Sequence, residues 1–494
     1  MAERCAFAVN GVSGVVARRR LIQCRSDQRL ARSVGSANRP VRPVTPRIVG
    51  SRASVKNARR RHHSGWTACA ADGIATTTAL SSQAAYMVST LVGALEREAH
   101  SVPPTPRAAL RRIASQLQAG VAATPAISPD GEYSSTGADS TDPVVPSLAL
   151  TLVARHDRTT PPPPLFTHAS LPTLLLEAVQ VLCAGGRGHI ARVHFLSPDA
   201  LEITVRPHWP GGWTAPVQVD DLQRQLRQRL ERHAVASVAL QLDDTSRRLK
   251  RLAVFDLDST LILNESIDEL VAYAGVSRSV VSHITERAML GELDFAEALR
   301  QRAALLRGVS AADAWQAVMP RLQLAPGARR LVRALKALGA RVVIASGGFV
   351  PLAESVRRRI GADAVYANEL EVDGHTGRFT GHVLGDVVDA PVKERVLVQE
   401  WQALQAAVGN RVDASKVPAV LCDTLAVGDG ANDLRMLSRA SLAVAYRAKP
   451  IVQRQAQVCI EYPRLDAILW LLGMTEEEIA RWAPDAEEER VESA

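Results

Sequence analysis

The most constraining feature of this 494-residue chain is a short apolar run, Leu252–Phe255, that stops abruptly at Asp256-Leu257-Asp258-Ser259-Thr260. Such a run reads as a strand buried on both faces, the mark of a parallel sheet wrapped in helices. Two carboxylates two residues apart just past a strand end have left the pleat. They can converge on one ligand at the carboxyl edge of the sheet, where α/β proteins place their sites. Taken alone, the same string also reads as an ordinary polar turn.

Three later segments repeat the device. A helix with Leu331, Leu335 and Leu338 on one stripe leads to the apolar strand Arg341–Ala345, which ends in Ser346-Gly347-Gly348-Phe349. Lys393 stands at a helix start, after Pro391. Thr424–Val427 then runs into Gly428-Asp429-Gly430-Ala431-Asn432-Asp433, again acid and glycine directly after a strand. Between the first and second segments, Glu265 to Gln323 reads as helical. Along Asp294–Leu306 the positions Phe295, Leu299, Arg302 and Leu306 share a face. An arginine on that stripe is either a side chain snorkelling at its edge or a clamp that holds a ligand carboxylate bidentately. Glu265, nine residues past Asp256, could take an ammonium group.

Upstream, Leu148–Ala154, Ile190–Leu196, Ala200–Arg206 and Ser237–Leu242 read as strands. Leu171–Ala184 and a polar stretch carrying Leu222, Leu226 and Leu230 read as helices. The order β-α-β-β-α-β predicts a ferredoxin-like module over residues 148–245.

Composition matters most at the N-terminus. Residues 1–70 hold 14 Arg and 1 Lys against Glu3 and Asp27, a net +13 in a chain of net +8, so the remainder is acidic. Residues 1–75 therefore read as an organelle transit peptide, a basic unstructured tail or a spurious extension. Nucleic-acid binding is not expected, because aromatic residues are not interleaved with the arginines. Residues 76–147 read as partly helical, then as a linker from Thr124 to Ser147. The six cysteines form no C-x-x-C pair, which argues against a structural zinc site or a disulfide framework and for a reducing compartment. No run reaches 18 uncharged apolar residues, so no transmembrane helix and no membrane partner are expected. The expected location is cytoplasmic, with mitochondrion or plastid as the alternative. Glu369–Val388 reads as a hairpin turning at Asp373-Gly374 that merely joins motifs, Gly409–Pro418 as a surface loop, and 475–494 as a frayed acidic tail.

In this order the motifs resemble the haloacid dehalogenase-like phosphatases from Leu249 to about Leu472. Their details, Asp-x-Asp-Ser-Thr-Leu, Ser-Gly-Gly-Phe and Gly-Asp-Gly-Ala-Asn-Asp, are most similar to those of the phosphoserine phosphatases. The resemblance implies an α/β fold, a Rossmann-like parallel-sheet hydrolase core over 249–474 with a small helical cap at about 265–323. The preceding module resembles ACT-type domains, which often bind amino acids and pair into dimers, so the resemblance allows a homodimer through it. Its first loop carries Pro161–Pro164 where a glycine-bearing ligand loop would be expected.

A phosphomonoester is dianionic and repels an attacking carboxylate unless a hard cation with oxygen ligands intervenes. The resemblance supplies the roles. Mg²⁺ is held by the carboxylates of Asp256 and Asp429 and the backbone carbonyl of Asp258, with Asp433 and Asn432 supporting them or positioning the phosphate. Asp256 is the nucleophile and Asp258 the proton donor and acceptor. Lys393, Ser346 and the N–H groups at Gly347 meet the phosphoryl oxygens, while Glu265, Met289, Phe295 and Arg302 line the pocket for the seryl moiety. The expected reaction is hydrolysis of O-phosphoserine to L-serine and phosphate, the last step of serine biosynthesis. The alternatives are a phosphatase or phosphotransferase acting on another small phosphomonoester and a non-catalytic amino-acid-sensing regulator.

Overall fold

Leu252–Phe255 forms strand β5, buried along its whole length, because alternate side chains feed two different cores. Ala253 and Phe255 join one apolar cluster with Leu331, Leu335, Leu352 and Val356. Leu252 and Val254 join a second with Val396, Leu397 and Trp401. Helices thus cover both faces of the sheet. The computed structural model describes residues 147–155, 188–207, 215–233, 236–289 and 292–484, with isolated helical positions at 111, 114, 115, 174, 175, 177, 178, 181 and 182. The expectations for residues 1–75, for almost all of 76–147, for Pro161–Pro164, for the Met289 side chain and for 485–494 lie outside the described residues.

β5 sits in the middle of a seven-stranded sheet ordered β11-β10-β9-β5-β6-β7-β8. Its other members are β6 (Arg341–Phe349), β7 (Ala364–Val372), β8 (Phe379–Leu384), β9 (Leu421–Gly428), β10 (Ala440–Tyr446) and β11 (Val458–Ile460). Every pairing is parallel except β7 with β8. The chain builds β6 and β7 to one side of β5, then crosses to lay β9, β10 and β11 on the other. The carboxyl ends of β5 and β9 therefore flank the crevice at which an α/β sheet receives its ligand.

Of the five helices between β5 and β6, the last, Ala328–Ala337, packs on the sheet, and the first four are α2 (Ser266–Tyr273), α3 (Arg278–Met289), α4 (Phe295–Ala304) and α5 (Ala311–Val318), α1 being the module helix Ala215–Leu230. These four are the predicted cap. Its two stems are tied together: Leu263 N–H donates to the Gln323 carbonyl at 2.9 Å, and Gln323 N–H donates to Asn264 Oδ1 at 2.8 Å.

The hairpin β7–β8 does more than join motifs, which corrects the sequence reading. Gly308 N–H donates to the Phe379 carbonyl at 2.8 Å and Phe379 N–H to the Val309 carbonyl at 2.9 Å. Trp315 of α5 stands edge-on to Phe379, ring centroids 5.0 Å apart. The hairpin is the seat on which the cap rests.

The upstream strands β1 (Leu148–Ala154), β2 (Gly188–Ser197), β3 (Ala200–Pro207) and β4 (Ala236–Leu242) form an antiparallel sheet ordered β2-β3-β1-β4. With α1 between β3 and β4 and helical positions between β1 and β2, this is the ferredoxin-like order read from the sequence. All of β1 is buried. The module also bonds directly to the domain of the seven-stranded sheet. Gln241 Nε2 donates to the Leu471 carbonyl at 2.8 Å, Arg227 Nη1 to the Ala456 carbonyl at 2.6 Å and Tyr462 Oη to Asp199 Oδ2 at 2.8 Å. Arg247, itself buried, pairs with buried Glu202 and donates to the Leu471 carbonyl at 3.1 Å.

The acidic C-terminal run is not frayed over its first part. Glu476–Trp482 is a helix, α6, started by a capping box in which the Thr475 side chain and Glu478 each bond the other's backbone N–H. Arg330 reaches Glu476 and Arg248 reaches Glu478 at 2.9 Å, fastening it to the core. Among the described residues no helix is long and apolar enough to cross a membrane.

Lys250 lies buried just before β5, its Nζ donating to the Ser246 carbonyl at 2.7 Å. Burial pushes its pKa down to about 8 against the pull of Asp423 and Asp244. Below pH 8 it is charged in both the folded and unfolded states, and the folded state carries the desolvation cost. From pH 8 to the unfolded value near 10.5 the folded state is neutral while the unfolded chain still binds a proton, so this contribution to stability rises with pH. Lys250→Met should stabilise the protein at pH 7 by about 1–3 kcal/mol, the equivalent of the displacement less one hydrogen bond. Urea midpoints should show the gain shrinking as pH rises from 8 to 10.

Candidate active site

Asp256 leaves β5 still bonded to its neighbour, its N–H donating to the Val427 carbonyl of β9 at 2.9 Å. Opposite it, β9 ends in Gly428 and the chain turns through Asp429 to Asp433. Carboxylate oxygens of Asp256, Asp429 and Asp433 all lie within 4.8 Å of one another, and all three residues are buried. Gly428 is required for this approach: a Cβ there would fall 2.4 Å from Cγ of Asp433. Asp433 also accepts the Gly430 N–H at 3.0 Å, which fixes its second oxygen.

Lys393 enters this cluster from the first turn of a long helix, Ala390–Ala407, whose N-cap Asp389 accepts from Val392 N–H. It is fully buried, with Nζ 2.6 Å from Asp256 Oδ1 and 2.8 Å from Asp433 Oδ1. Burial opposes its charge, yet the two carboxylates hold the ammonium above the usual lysine range. Three buried carboxylates share this one buried cation, while Lys449 stands 3.8 Å from Asp429 and exposed. Burial, then Asp433, pushes Asp256 well above the carboxylate range despite Lys393. Burial pushes Asp429 up to about 6, with Lys449 pulling the other way. An oxygen-only cluster short of positive charge suits a hard divalent cation.

Asp258 points elsewhere. Its carboxylate accepts Ser266 N–H at 2.9 Å and Ser266 Oγ–H at 3.0 Å, across the N-terminus of α2. Burial, then the charge of Glu265, pushes it up to about 7. A carboxyl group near half-protonation at neutral pH is poised both to give and to take a proton. Ser259 between them adopts a left-handed φ of 55°, and its hydroxyl donates to exposed Glu265 Oε1 at 2.9 Å.

Strand β6 brings buried Ser346 and Gly347 to the same edge. The Ser346 hydroxyl accepts Gly348 N–H at 2.9 Å. Phe295, at the start of α4, lies across Gly347: a Cβ on Gly347 would be 2.6 Å from its ring. The cap thus touches the core at the residue expected to face the phosphate, although Phe295 keeps 38% of its surface exposed. Asn432 is half-buried against Gly430.

Arg302 is half-buried, and Nη2 donates to Thr285 Oγ1 at 2.7 Å. The Thr285 proton is committed to the Val281 carbonyl at 3.0 Å, so its lone pair faces the arginine. Arg302 Nε and Asp268 Oδ1 are buried with no hydrogen-bond partner among the described residues. The stripe is therefore not uniformly apolar and inward. Leu299 and Leu306 are buried, Phe295 is exposed on one side and Arg302 is gripped in place.

Sequence reasoning missed Ser266 and Thr285. Ser266 begins a helix eight residues after Asp258, at the edge of a polar stretch that offered a signal; Thr285 sits inside an ordinary helix pattern.

Residues 253–438 match the haloacid dehalogenase-like hydrolase family. The chain is 43% identical over 229 residues to a probable phosphoserine phosphatase of Schizosaccharomyces pombe, covering 46% of this chain and 72% of that one. It is 44% identical over 233 residues to a phosphoserine phosphatase of Streptomyces coelicolor (47% and 53%). It is 40% identical over 291 residues to one of Mycobacterium tuberculosis (59% and 66%). The alignments thus span between half and three quarters of these relatives. Together with a parallel sheet that delivers Asp256, Ser346 and Asp429 to one edge, where Lys393 enters from its helix, they show that the chain belongs to the phosphoserine phosphatase family of haloacid dehalogenase-like hydrolases.

Proposed function

We propose that this chain hydrolyses O-phosphoserine to L-serine and phosphate through an aspartyl-phosphate. Asp256 Oδ attacks phosphorus, and the bond to the seryl oxygen breaks. Asp258 gives its proton to that oxygen as serine leaves. Now ionised, it takes a proton from the water that attacks the aspartyl-phosphate, which releases phosphate and regenerates Asp256. Lys393, Ser346 and the N–H at Gly347 hold the phosphoryl oxygens. The carboxylates of Asp256 and Asp429, with the Asp258 carbonyl, would hold Mg²⁺, and Asp433 and Asn432 would support them; the ion neutralises the ester's negative charge so that a carboxylate can approach. Glu265, Met289, Phe295 and Arg302 would form the pocket for the amino acid.

The observation that carries the substrate is Arg302. A half-buried guanidinium anchored at Nη2, whose buried Nε–H has no hydrogen-bond partner among the described residues, needs an acceptor, and a ligand carboxylate supplies a bidentate one. Losing a charge-assisted bond costs about 1.5–3 kcal/mol. Arg302→Ala should therefore lower kcat/KM for phosphoserine by at least roughly tenfold. Ethanolamine phosphate, which has the ammonium but no carboxylate, should be a poor substrate for both proteins and little affected. Phosphate release by the full-length chain with Mg²⁺ measures both, and equal losses would mean that Arg302 serves the cap's fold rather than the carboxylate. The module over 148–245 is read as ACT-like. Since β1 is buried throughout, a homodimer through that module would have to use its remaining surface.

A further inference from the structure

The pairing of β6 with β7 breaks at the site. Ala345 lies opposite Tyr366 and Phe349 opposite Asn368, so Ser346, Gly347 and Gly348 together face only Ala367. This is a bulge, and it releases buried backbone groups that need other partners. Gly348 N–H goes to Ser346 Oγ. The Gly347 carbonyl accepts from Asn368 Nδ2 at 2.7 Å.

Asn368 is 1% exposed, and its other end is engaged too: Oδ1 accepts Val388 N–H at 2.8 Å. Val388 immediately precedes Asp389, whose carbonyl accepts Lys393 N–H at 2.9 Å. Between residues 368 and 388 the chain makes the β7–β8 hairpin that seats the cap. One amide thus closes the base of that hairpin, holds the bulge and ties down the start of the lysine's helix.

We propose that Asn368 is a positioning residue of the phosphate site, setting the tilt of the Gly347–Gly348 peptide, whose N–H engages Ser346 Oγ, and the origin of the Lys393 helix. The position requires a group that donates at one end and accepts at the other. A carboxylate satisfies Val388 but turns a lone pair on the Gly347 carbonyl. The Ser346–Gly348 turn and the Lys393 helix that Asn368 ties down both carry phosphoryl contacts, and neither belongs to the seryl pocket around Arg302. This inference rests on the phosphatase reading, and its signature is a loss common to every phosphomonoester.

The test uses the full-length chain with Mg²⁺, as wild type, Asn368→Asp and Asn368→Ser. Phosphoserine and p-nitrophenyl phosphate serve as substrates and inorganic phosphate as inhibitor, with a thermal melt of each protein. Asn368→Asp should lower kcat/KM at least tenfold on both esters by the same factor, and weaken inhibition by phosphate severalfold. If that variant does not fold, Asn368→Ser, which can keep one of the two bonds and buries no charge, is read in the same way. Unchanged KM and phosphate inhibition, with kcat reduced only in proportion to the folded fraction, would overturn the inference; so would a loss confined to phosphoserine. A wild-type chain that releases no phosphate from either ester overturns the phosphatase reading and this inference with it. Wild-type turnover with unaltered variants overturns this inference alone.

Discussion

Asp256→Asn should bring phosphate release down by at least roughly 10⁴-fold, because an amide cannot form the acyl-phosphate. The fold should survive. The amide oxygen can still accept the Leu257 N–H that Asp256 accepts at 2.7 Å, and Lys393 keeps Asp433. Removing one of three crowded carboxylates also relieves the repulsion and burial that push Asp256 upward, so the melting temperature should hold or rise. Turnover at the wild-type rate in a well-folded variant would sink the assignment of the nucleophile.

Lys393→Met should be damaging in a different way. Its ammonium is the shared partner of Asp256 and Asp433, in a place where all three are buried. Taking one member from a buried ion pair strands the others, and the cost is about 3–5 kcal/mol. Urea unfolding should show that loss, and phosphate release should vanish with it. A variant that unfolds at the wild-type midpoint would mean that the two carboxylates are satisfied by something other than this lysine.

Much of the molecule was legible because its signals are local. An apolar run ending in acid or glycine marks β5, β6 and β9, and leucines at helical spacing mark the helices that cover them. Strand ends placed acids at one carboxyl edge, since a parallel sheet gathers that edge in one place, but the grouping of Asp256 with Asp429 and Asp433 was implied by the family resemblance. What was not legible depends on partners far away in sequence. Asn368 looks like any polar residue in a strand, and only the bulge opposite it reveals why an amide is there. Thr285 matters through Arg302, seventeen positions on and on another helix. The hairpin was read as a mere connection because nothing in its own residues names the cap it supports. The tail was read from its acidity, although Thr475 and Glu478 carry the spacing of a capping box; negative charge in the first turn of a helix is stabilising.

The pairing of β5 has a kinetic consequence. Leu252 lies beside Arg341 on one side and Thr424 on the other, so the strand that ends at Asp256 is locked only after two long stretches of chain have been closed. Closure entropy makes such non-local pairing slow compared with forming the intervening helices. On dilution from denaturant, helical ellipticity should return well before the ability to release phosphate. A chain arrested between those two events would present the apolar edges of a half-built sheet, which is when this protein is most exposed to aggregation.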